Sequence, residues 1–373
     1  MLPENIKEVS TPCFLVDIHI VKKNARRMRE RCQQFGVQLR PHMKTHKTIE
    51  GALVMTGGTK RKIAVSTIAE ARFYADNGFD DILYAFPFSA DKKERCQKLA
   101  NELGQFHVML DSMEGLSSIL STSLEPGKEW SIFLEVDCGY GRTGVDWDSD
   151  AAVELATKID KTNGIQFQGL YTHCGNSYEM GAGPDFIREV GSKTTECLMD
   201  LAKKLKNCGV SCKTIGTGST PNCSLASEKM AALTEFHPGN YIFYDYMQSL
   251  LGSCKVDDIA CCVATRVISH KVSQQHIVID CGFLGLSKQG FAENLASGPC
   301  LFKGHSNLRL VGVTQELGKV KAIEGEINYS KYPIGSMLFL YPFHSCATAA
   351  MHSVYYIHSG EKIVGVWKPT RGW

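Results

Sequence analysis

The sequence has little net charge and no long apolar run. Its 41 basic and 39 acidic side chains leave a formal net charge of only +2, and the basic residues are spread along the chain. Proteins that follow a phosphate backbone carry a basic stripe, so we expect no nucleic-acid partner. No segment approaches the roughly 20 apolar residues that cross a bilayer, and the first residues lack the order of a signal peptide. We therefore expect no membrane association and a cytoplasmic location.

The sequence also lacks the cysteine spacing of a disulfide framework. Fifteen cysteines are many, but they are scattered, no C-x-x-C occurs, and the one adjacent pair is Cys261-Cys262. In a reducing compartment most of them should be small buried apolar side chains. A chain of 373 residues with 43% apolar content can bury a full core, and it favours one large and one smaller domain.

Short apolar runs alternate with helical stretches through the first two thirds of the chain. Apolar residues recur at helical spacing over 18–35 and Gly36 follows, which predicts an amphipathic helix. Eight predicted strands come next, at about 37–43, 62–66, 81–85, 106–110, 131–137, 165–172, 211–216 and 232–236. Eight apolar strands separated by helices favour an α/β fold with a (β/α)8 TIM-type barrel, and a doubly wound sheet is the alternative.

After about residue 250 the predicted strands follow one another without helices. They lie at 259–269, 275–280, 308–314, 336–341, 353–357 and 362–367. We predict a second, C-terminal mainly-β domain, and the short first strand at 13–17 is expected to join it because chain ends often lie together. The predicted domains are a barrel over 18–250 and a β domain built from 1–17 plus 251–373.

Lys44 stands at the end of the first predicted barrel strand, within Arg40-Pro-His-Met-Lys-Thr-His-Lys47. Active sites of such barrels lie at the carboxyl ends of the strands. A lysine that reacts with a carbonyl must lose its proton part of the time, and cationic neighbours and partial burial promote that loss. Lys44 is therefore a candidate nucleophile, and a basic surface turn is the alternative.

Two later loops have the composition of a phosphate site. Gly216-Thr-Gly-Ser-Thr-Pro-Asn222 follows the seventh predicted strand, and its glycines would let backbone amides converge on an anion. Glu235-Phe-His-Pro-Gly-Asn-Tyr241 includes the end of the eighth strand and a turn at Pro238-Gly239. Barrel enzymes often bind phosphate with the loops after strands seven and eight, so the two loops together favour such a site, although each alone is an ordinary turn.

Three polar side chains follow the fifth and sixth predicted strands. Arg142, in Asp137-Cys-Gly-Tyr-Gly-Arg-Thr-Gly144, could bind a substrate carboxylate or a cofactor oxygen, and a structural ion pair is the alternative. Tyr171 and His173 end the sixth strand and could pack on a cofactor or move a proton.

His344 and Cys346 form a possible metal-binding pair in the second domain. One residue separates them, so on an extended segment both side chains would point to the same side. Imidazole nitrogen and thiolate are ligands that zinc prefers, and few protein ligands would leave positions open for water or substrate. Buried packing is the alternative for both residues.

Taken together, these motifs resemble the eukaryotic D-serine dehydratases, which are fold-type III pyridoxal phosphate enzymes with the alanine racemase architecture. The resemblance covers nearly the whole chain in the same motif order, and it also includes Tyr244-Asp245 and Asp280-Cys-Gly282. It implies an N-terminal barrel, a C-terminal β domain, a homodimer, and zinc near pyridoxal 5'-phosphate. The implied reaction converts D-serine to pyruvate and ammonia by β-elimination.

The resemblance also implies roles for single residues. Lys44 matches the Schiff-base lysine, Arg142 the arginine near cofactor and substrate, and Tyr171 an active-site tyrosine. His344 and Cys346 match the zinc ligands. The phosphate-binding residues are matched by Gly218, Ser219, Thr220, Gly239 and Asn240.

Two residues depart from the family pattern: Leu317 stands where histidine is frequent, and Phe343 stands where asparagine is frequent. These departures bear on substrate preference and on the surroundings of the metal.

Within the same architecture, a D-threonine aldolase type of enzyme or an amino-acid racemase is an alternative. A non-catalytic pyridoxal phosphate carrier and a zinc-stabilised binding module are alternatives from other classes.

Overall fold

The computed structural model describes residues 2–373, and its backbone contacts divide them into two compact units. One combines residues 2–24 with Asn240–Pro369, and the other combines Ala25–Gly239 with Thr370–Trp373. We call the first the β unit and the second the barrel unit. The domain bounds predicted from the sequence lie near these limits and stay a prediction.

A 3-10 turn (Ile6–Glu8) precedes strand β1 (Cys13–Asp17), and helix α1 (Ile18–Phe35) follows the strand directly. The helix has the predicted bounds. It ends at Gly36, whose backbone has a φ of +68°. A side chain is strained in that left-handed conformation, so glycine is suited to stop the helix there.

The barrel unit is built on a parallel sheet. Its strands are β2 (Gln38–Leu39), β3 (Ile63–Val65), β4 (Ile82–Pro87), β5 (Phe106–Leu110), β6 (Trp130–Asp137), β7 (Val145–Asp146), β8 (Ile165–His173), β9 (Thr214–Gly218) and β10 (Glu235–Phe236). The sheet order is β2-β10-β9-β8-β6-β5-β4-β3, and the short β7 pairs with β6. A parallel bridge between His42 and Ala64 joins the two edge strands. The sheet is therefore closed, which confirms the predicted eight-stranded barrel.

Helices separate most of these strands. They are α2 (Ile49–Thr56), α3 (Ile68–Asp76), α4 (Lys93–Glu102), α5 (Met113–Leu120), α6 (Asp150–Asp160), α7 (Gly183–Asn207) and the short α8 (Thr220–Ser224). Five of them begin at a hydroxyl residue whose side chain accepts a backbone N–H of the first turn, namely Thr48, Thr67, Ser112, Ser149 and Ser219. Such caps satisfy amides that the helix itself leaves unpaired.

The barrel interior has a charged layer and an apolar layer. Near the amino-terminal ends of the strands, the buried Arg40 guanidinium lies 2.7 Å from Asp81 Oδ1 and 2.9 Å from Glu235 Oε1. Above this layer, Ala64, Leu83, Met109, Phe133 and Tyr171 form a buried cluster. These two layers occupy the barrel interior, so a ligand site is expected at the carboxyl ends of the strands.

The β unit contains the second sheet. Its later strands are β11 (Cys261–Lys271), β12 (His276–Ile279), β13 (Cys300–Phe302), β14 (Leu308–Val313), β15 (Gly318–Ala322), β16 (Met337–Pro342), β17 (Tyr355–Ser359) and β18 (Lys362–Trp367). Strand β1 pairs antiparallel with β11 and parallel with β17. The expectation that the first strand joins this unit is confirmed, whereas β13 and β15 were not predicted.

Short helices interrupt the β unit, contrary to the expectation of strands alone. They are α9 (Tyr246–Leu250), α10 (Phe283–Leu286) and α11 (Ser345–Ala350). The last of them changes the interpretation of the predicted metal pair, as described below. Within residues 2–373, no helix is both long enough and apolar enough to span a bilayer.

Candidate active site and metal-binding pair

Lys44 lies just past strand β2, at the carboxyl end of the barrel, in a 3-10 turn (Met43–Thr45). Its side chain is exposed and its backbone N–H donates to His42 Nδ1 at 3.3 Å. Two of its basic neighbours in sequence are paired elsewhere: Arg40 with the charged layer, and Lys47 with Glu70 Oε1 at 2.9 Å. Of these three cations, Lys44 is the one whose side chain is exposed at the barrel mouth.

Three histidines lie close enough to Lys44 for its charge to lower their pKa values. Burial lowers the pKa of His42 and His173 well below 6.5, and the Lys44 charge lowers both further. Burial also lowers the pKa of His237 to about 3, although its bond to a backbone carbonyl opposes that shift. All three are neutral at physiological pH, so the carboxyl end of the barrel presents an amine among uncharged imidazoles.

Hydrogen bonds define the tautomers of two of these imidazoles. His173 Nδ1 lies 2.9 Å from the Gly218 carbonyl oxygen, and His237 Nε2 lies 3.0 Å from the Thr172 carbonyl oxygen. A carbonyl only accepts, so in each ring the bonded nitrogen carries the proton. The other nitrogen, His173 Nε2 or His237 Nδ1, then has a lone pair.

Tyr171 and His237 form a parallel stack at this end of the barrel. Their ring centroids are 3.8 Å apart and the planes differ by 8°. Burial raises the pKa of the Tyr171 hydroxyl, and the charge of Glu135 raises it further. Tyr171 is thus a neutral phenol, and the stack provides a flat aromatic surface. His237 was not assigned a role from the sequence, although its place directly after the eighth predicted strand could have pointed to it.

Three buried histidines of this region, His42, His46 and His237, and the partly buried His173 predict a loss of stability in acid. The pKa of His46 is lowered by burial to about 3, as for His237, and those of His42 and His173 lie well below 6.5. Below pH 6.5 the imidazoles of the unfolded chain become protonated. In the folded chain, His46 and His237 stay neutral until the pH falls to about 3. The free energy of unfolding should therefore fall by at least about 2 kcal/mol between pH 7 and pH 5. Urea denaturation at both pH values measures this.

A matched pair of variants tests the origin of that slope. His46→Gln removes one buried imidazole and should make the pH dependence shallower. His19→Gln changes an exposed histidine and should leave the dependence as it is. A free energy of unfolding that is constant or larger at pH 5 contradicts the prediction.

The predicted phosphate loop begins later than the sequence indicated. Gly216 and Gly218 belong to strand β9, so only Ser219 and the residues after it form the turn. Glycine is unusual inside a strand, but a Cβ on Gly218 would lie 2.2 Å from His237 Cδ2. The absent side chain lets the His237 ring lie flat on the strand.

The residues around this turn fit an anionic group. Ser219 Oγ accepts the Asn222 backbone N–H at 3.2 Å and contacts Ser177 Oγ at 2.8 Å, so the turn is tightly held. The buried hydroxyl of Thr220 has no hydrogen-bond partner among residues 2–373. A buried hydroxyl without a partner is destabilising unless a ligand supplies one. Gly239 lies close by on the His42 backbone, where a Cβ would come within 2.7 Å of the His42 oxygen.

The pyridoxal phosphate that the family resemblance implies should bind more weakly after substitution of Gly218. The methyl group of Gly218→Ala would overlap His237 and force the ring and the adjoining turn apart, at a cost of about 1–3 kcal/mol. We expect about tenfold or greater weakening in an absorbance titration with the cofactor. Gly312→Ala is the matched control, because a Cβ at Gly312 meets nothing within 4 Å. Equal affinities of the two variants would contradict the prediction.

Arg142 lies in a loop whose backbone is held by hydrogen bonds to the carboxylate of Asp137. The side chain of Asp137 accepts the backbone N–H groups of Gly139, Tyr140 and Gly141, each at 2.8 Å. The Arg142 side chain is exposed, and its guanidinium carbon lies 5.6 Å from the centroid of the Tyr140 ring. The loop therefore presents an exposed cation at the carboxyl end of β6.

The predicted metal pair does not lie on an extended segment. His344 is the last residue before helix α11, and Cys346 is in the first turn of that helix. The expectation of alternate residues on one strand face is wrong, because the chain turns after His344. Both side chains are only partly buried. No group of three His, Cys, Asp or Glu side chains suited to a metal occurs within residues 2–373. A metal on this pair would therefore keep positions for water or substrate.

Asp245 holds the segment that carries the pair. Its Oδ2 accepts the backbone N–H of Ser345 at 2.9 Å and the side-chain amide of Asn240 at 2.7 Å. The same amide nitrogen lies 3.6 Å from Cys346 Sγ. Asn240, predicted from the sequence as a phosphate-loop residue, thus has its side chain beside the cysteine in the β unit.

Comparison with known protein families covers both units. Residues 16–247 match the model of the alanine racemase N-terminal domain, and residues 260–358 match that of the putative serine dehydratase domain. The D-serine dehydratase of Dictyostelium discoideum is 36% identical over 99% of each chain. That of Schizosaccharomyces pombe is 30% identical over 99% of this chain and 94% of its own.

Solved structures agree with these matches. D-threo-3-hydroxyaspartate dehydratase from Delftia sp. HT23 superposes with a TM-score of 0.93 at 26% identity, over 100% of both chains. Two further structures of such an enzyme are alanine variants of a histidine and of a cysteine two positions later, and the cysteine variant is in the metal-free form. His344 and Cys346 have the same residue types at the same spacing.

The barrel, the second sheet and these matches define an enzyme of the alanine racemase type with an added dehydratase domain. Within that class, the chain belongs to the D-serine dehydratase family, because its identity to two members is 36% and 30% over nearly the full chain. The resemblance drawn from the motifs is confirmed.

Proposed function

We propose that this protein is a D-serine dehydratase, an ammonia-lyase that converts D-serine to pyruvate and ammonia. The observation that carries the proposal is the 36% identity over 99% of both chains to the D-serine dehydratase of Dictyostelium discoideum. The arrangement at the carboxyl end of the barrel supports it, because an exposed lysine, an aromatic stack and an exposed arginine suit a cofactor enzyme that acts on amino acids.

Pyridoxal 5'-phosphate is the proposed cofactor. Lys44 would hold it covalently. Gly218 at the end of strand β9, Ser219 and Thr220 in the turn after it, and Gly239 would hold its phosphate. The partnerless buried hydroxyl of Thr220 supports this assignment. When bound, the cofactor supplies an electron sink for the pair left at Cα when a proton is removed.

The chain's own residues supply binding and proton transfer in this proposal. Lys44 would take the Cα proton once the amino group of the substrate has replaced it on the cofactor, because the freed lysine is then a neutral amine at the barrel mouth that can act as a base. The three imidazoles beside it are neutral, so they add no positive charge that would oppose its protonation. Arg142 binds the substrate carboxylate through paired N–H donors. Tyr171, stacked on His237 at 3.8 Å, stays a neutral phenol that can donate a hydrogen bond.

Zinc is the proposed metal, held by His344 and Cys346. Hydroxide is a poor leaving group, and a zinc ion supplies the Lewis acid that its departure needs. The donor set supports zinc, because imidazole nitrogen and thiolate are ligands that it prefers. Asn240 stays a proposed phosphate-loop residue through its backbone. A homodimer and a cytoplasmic location complete the proposal, and the second is supported by the scattered cysteine spacing, which fits a reducing compartment.

Product analysis tests the reaction. The purified protein, loaded with pyridoxal phosphate and zinc, should form pyruvate and ammonia in equal amounts from D-serine and little from L-serine. Glycine and acetaldehyde from D-threonine, without pyruvate from D-serine, would identify a D-threonine aldolase type of enzyme instead. L-serine recovered from D-serine would identify a racemase. Cofactor absorbance without turnover of any D-amino acid would identify a non-catalytic carrier.

A further inference from the structure

Gln289 has a short hydrogen bond to the proposed metal ligand His344. Its Oε1 lies 2.6 Å from His344 Nδ1. An amide oxygen only accepts, so Nδ1 carries the proton and donates it. In a neutral imidazole the proton is then absent from Nε2, which has a lone pair available for a metal. Gln289 thus selects the nitrogen that can bind zinc.

The loop that carries Gln289 is fastened next to His344 by a glycine contact. Gly290 has a φ of +89°, and a Cβ on it would lie 2.6 Å from the Phe343 ring. The ring therefore packs on bare backbone, and Phe343 directly precedes His344. The Gln289 backbone N–H donates to Ser287 Oγ at 3.2 Å, which fixes the other side of the loop. Phe343, one of the two departures from the family pattern, is thus the residue on which this loop rests.

The second ligand is held by an independent set of contacts. The side-chain amide of Asn240 lies 3.6 Å from Cys346 Sγ and 2.7 Å from Asp245 Oδ2. The cysteine is therefore oriented without Gln289, and a change at Gln289 should act through the histidine alone.

We propose that Gln289 is a metal-positioning residue, which accepts the Nδ1 proton of His344 and so presents Nε2 to the zinc ion. The proposal rests on the zinc site of the proposed function. Partners of this kind on metal-binding histidines typically change metal affinity by about 10–100-fold. Gln289 and its loop were not found from the sequence, because no spacing relates residue 289 to residue 344.

Two substitutions of the exposed Gln289 distinguish the effect of its hydrogen bond on zinc affinity from the effect of its side-chain packing. Gln289→Leu keeps the approximate size and removes the acceptor, whereas Gln289→Glu keeps an acceptor oxygen. Gln274→Leu makes the same change at another exposed glutamine of the β unit and is the matched control. Zinc affinity is measured by competition with a chromophoric chelator, and the absorbance of bound pyridoxal phosphate is recorded for each protein.

We expect Gln289→Leu to bind zinc about 10–100-fold more weakly, Gln289→Glu to stay within about threefold of the unchanged protein, and Gln274→Leu to match it. Cofactor absorbance should be equal in all four. If Gln289→Leu keeps its zinc affinity, or Gln289→Glu loses as much as Gln289→Leu, the inference is wrong while the zinc site stands. If the unchanged protein binds no zinc, both the inference and the metal part of the proposed function are wrong.

Discussion

Lys44→Arg protein should show no absorbance of a lysine-bound cofactor and should form pyruvate from D-serine at least about 10³-fold more slowly. Arginine keeps the positive charge but stays protonated in proteins, so it can neither form a Schiff base nor accept a proton. General acid–base catalysis alone is worth about 10²–10⁴-fold. The loss of the covalent bond to the cofactor adds to that effect.

The matched control for this prediction is Lys47→Arg. Lys47 lies three residues further along the same segment, but its ammonium is paired with Glu70 Oε1 at 2.9 Å, and arginine can keep that ion pair. Cofactor absorbance and pyruvate formation should persist in this variant. If Lys44→Arg kept the absorbance of the covalent cofactor, another lysine would have to hold it.

Replacement of either proposed metal ligand should separate cofactor binding from elimination. His344→Ala and Cys346→Ala proteins should lose stoichiometric zinc and form pyruvate at least about 10³-fold more slowly, because the hydroxyl then leaves without a Lewis acid. The absorbance of bound pyridoxal phosphate should persist, since Lys44 is unchanged. Metal analysis, absorbance spectra and a pyruvate assay on the same preparations measure the three quantities.

Controls for the metal prediction are available elsewhere in the chain. Cys212→Ala removes another partly buried thiol, and His19→Ala removes an exposed imidazole, and both proteins should retain zinc and activity. Chelation of the unchanged protein should also abolish pyruvate formation, and added zinc should restore it. An unchanged rate from metal-free protein would rule out the role of the metal in elimination.

Most of the barrel could be predicted because several of its strands are buried along most of their length. The runs at 106–110 and 131–137 are mostly apolar, and they became β5 and β6 within one residue of the predicted bounds. Prediction failed where a glycine or a short strand hid the pattern. Strand β9 includes Gly216 and Gly218, and only the packing of His237 against them explains why glycine is needed there.

The β unit was less predictable for a related reason. Strand β15 (Gly318–Ala322) alternates lysine with apolar residues over only five positions, which is too short a pattern to stand out from a loop. Helix α11 begins at Ser345, within the His-x-Cys motif, and no pattern in the local sequence predicts that a helix begins there. Its position depends on Asp245, about a hundred residues earlier, whose carboxylate accepts the Ser345 N–H.

By itself, the sequence determined the eight-strand barrel, the family and the candidate residues Lys44, Arg142 and Tyr171. These follow from local patterns: apolar runs, motifs and positions at strand ends. Only the tertiary structure decided what surrounds those residues. The stack of Tyr171 on His237, the neutral histidines around Lys44 and the bond from His344 to Gln289 each join segments far apart in the chain. Burial and hydrogen-bond partners set the pKa and the tautomer of a side chain, and both arise only when the chain folds.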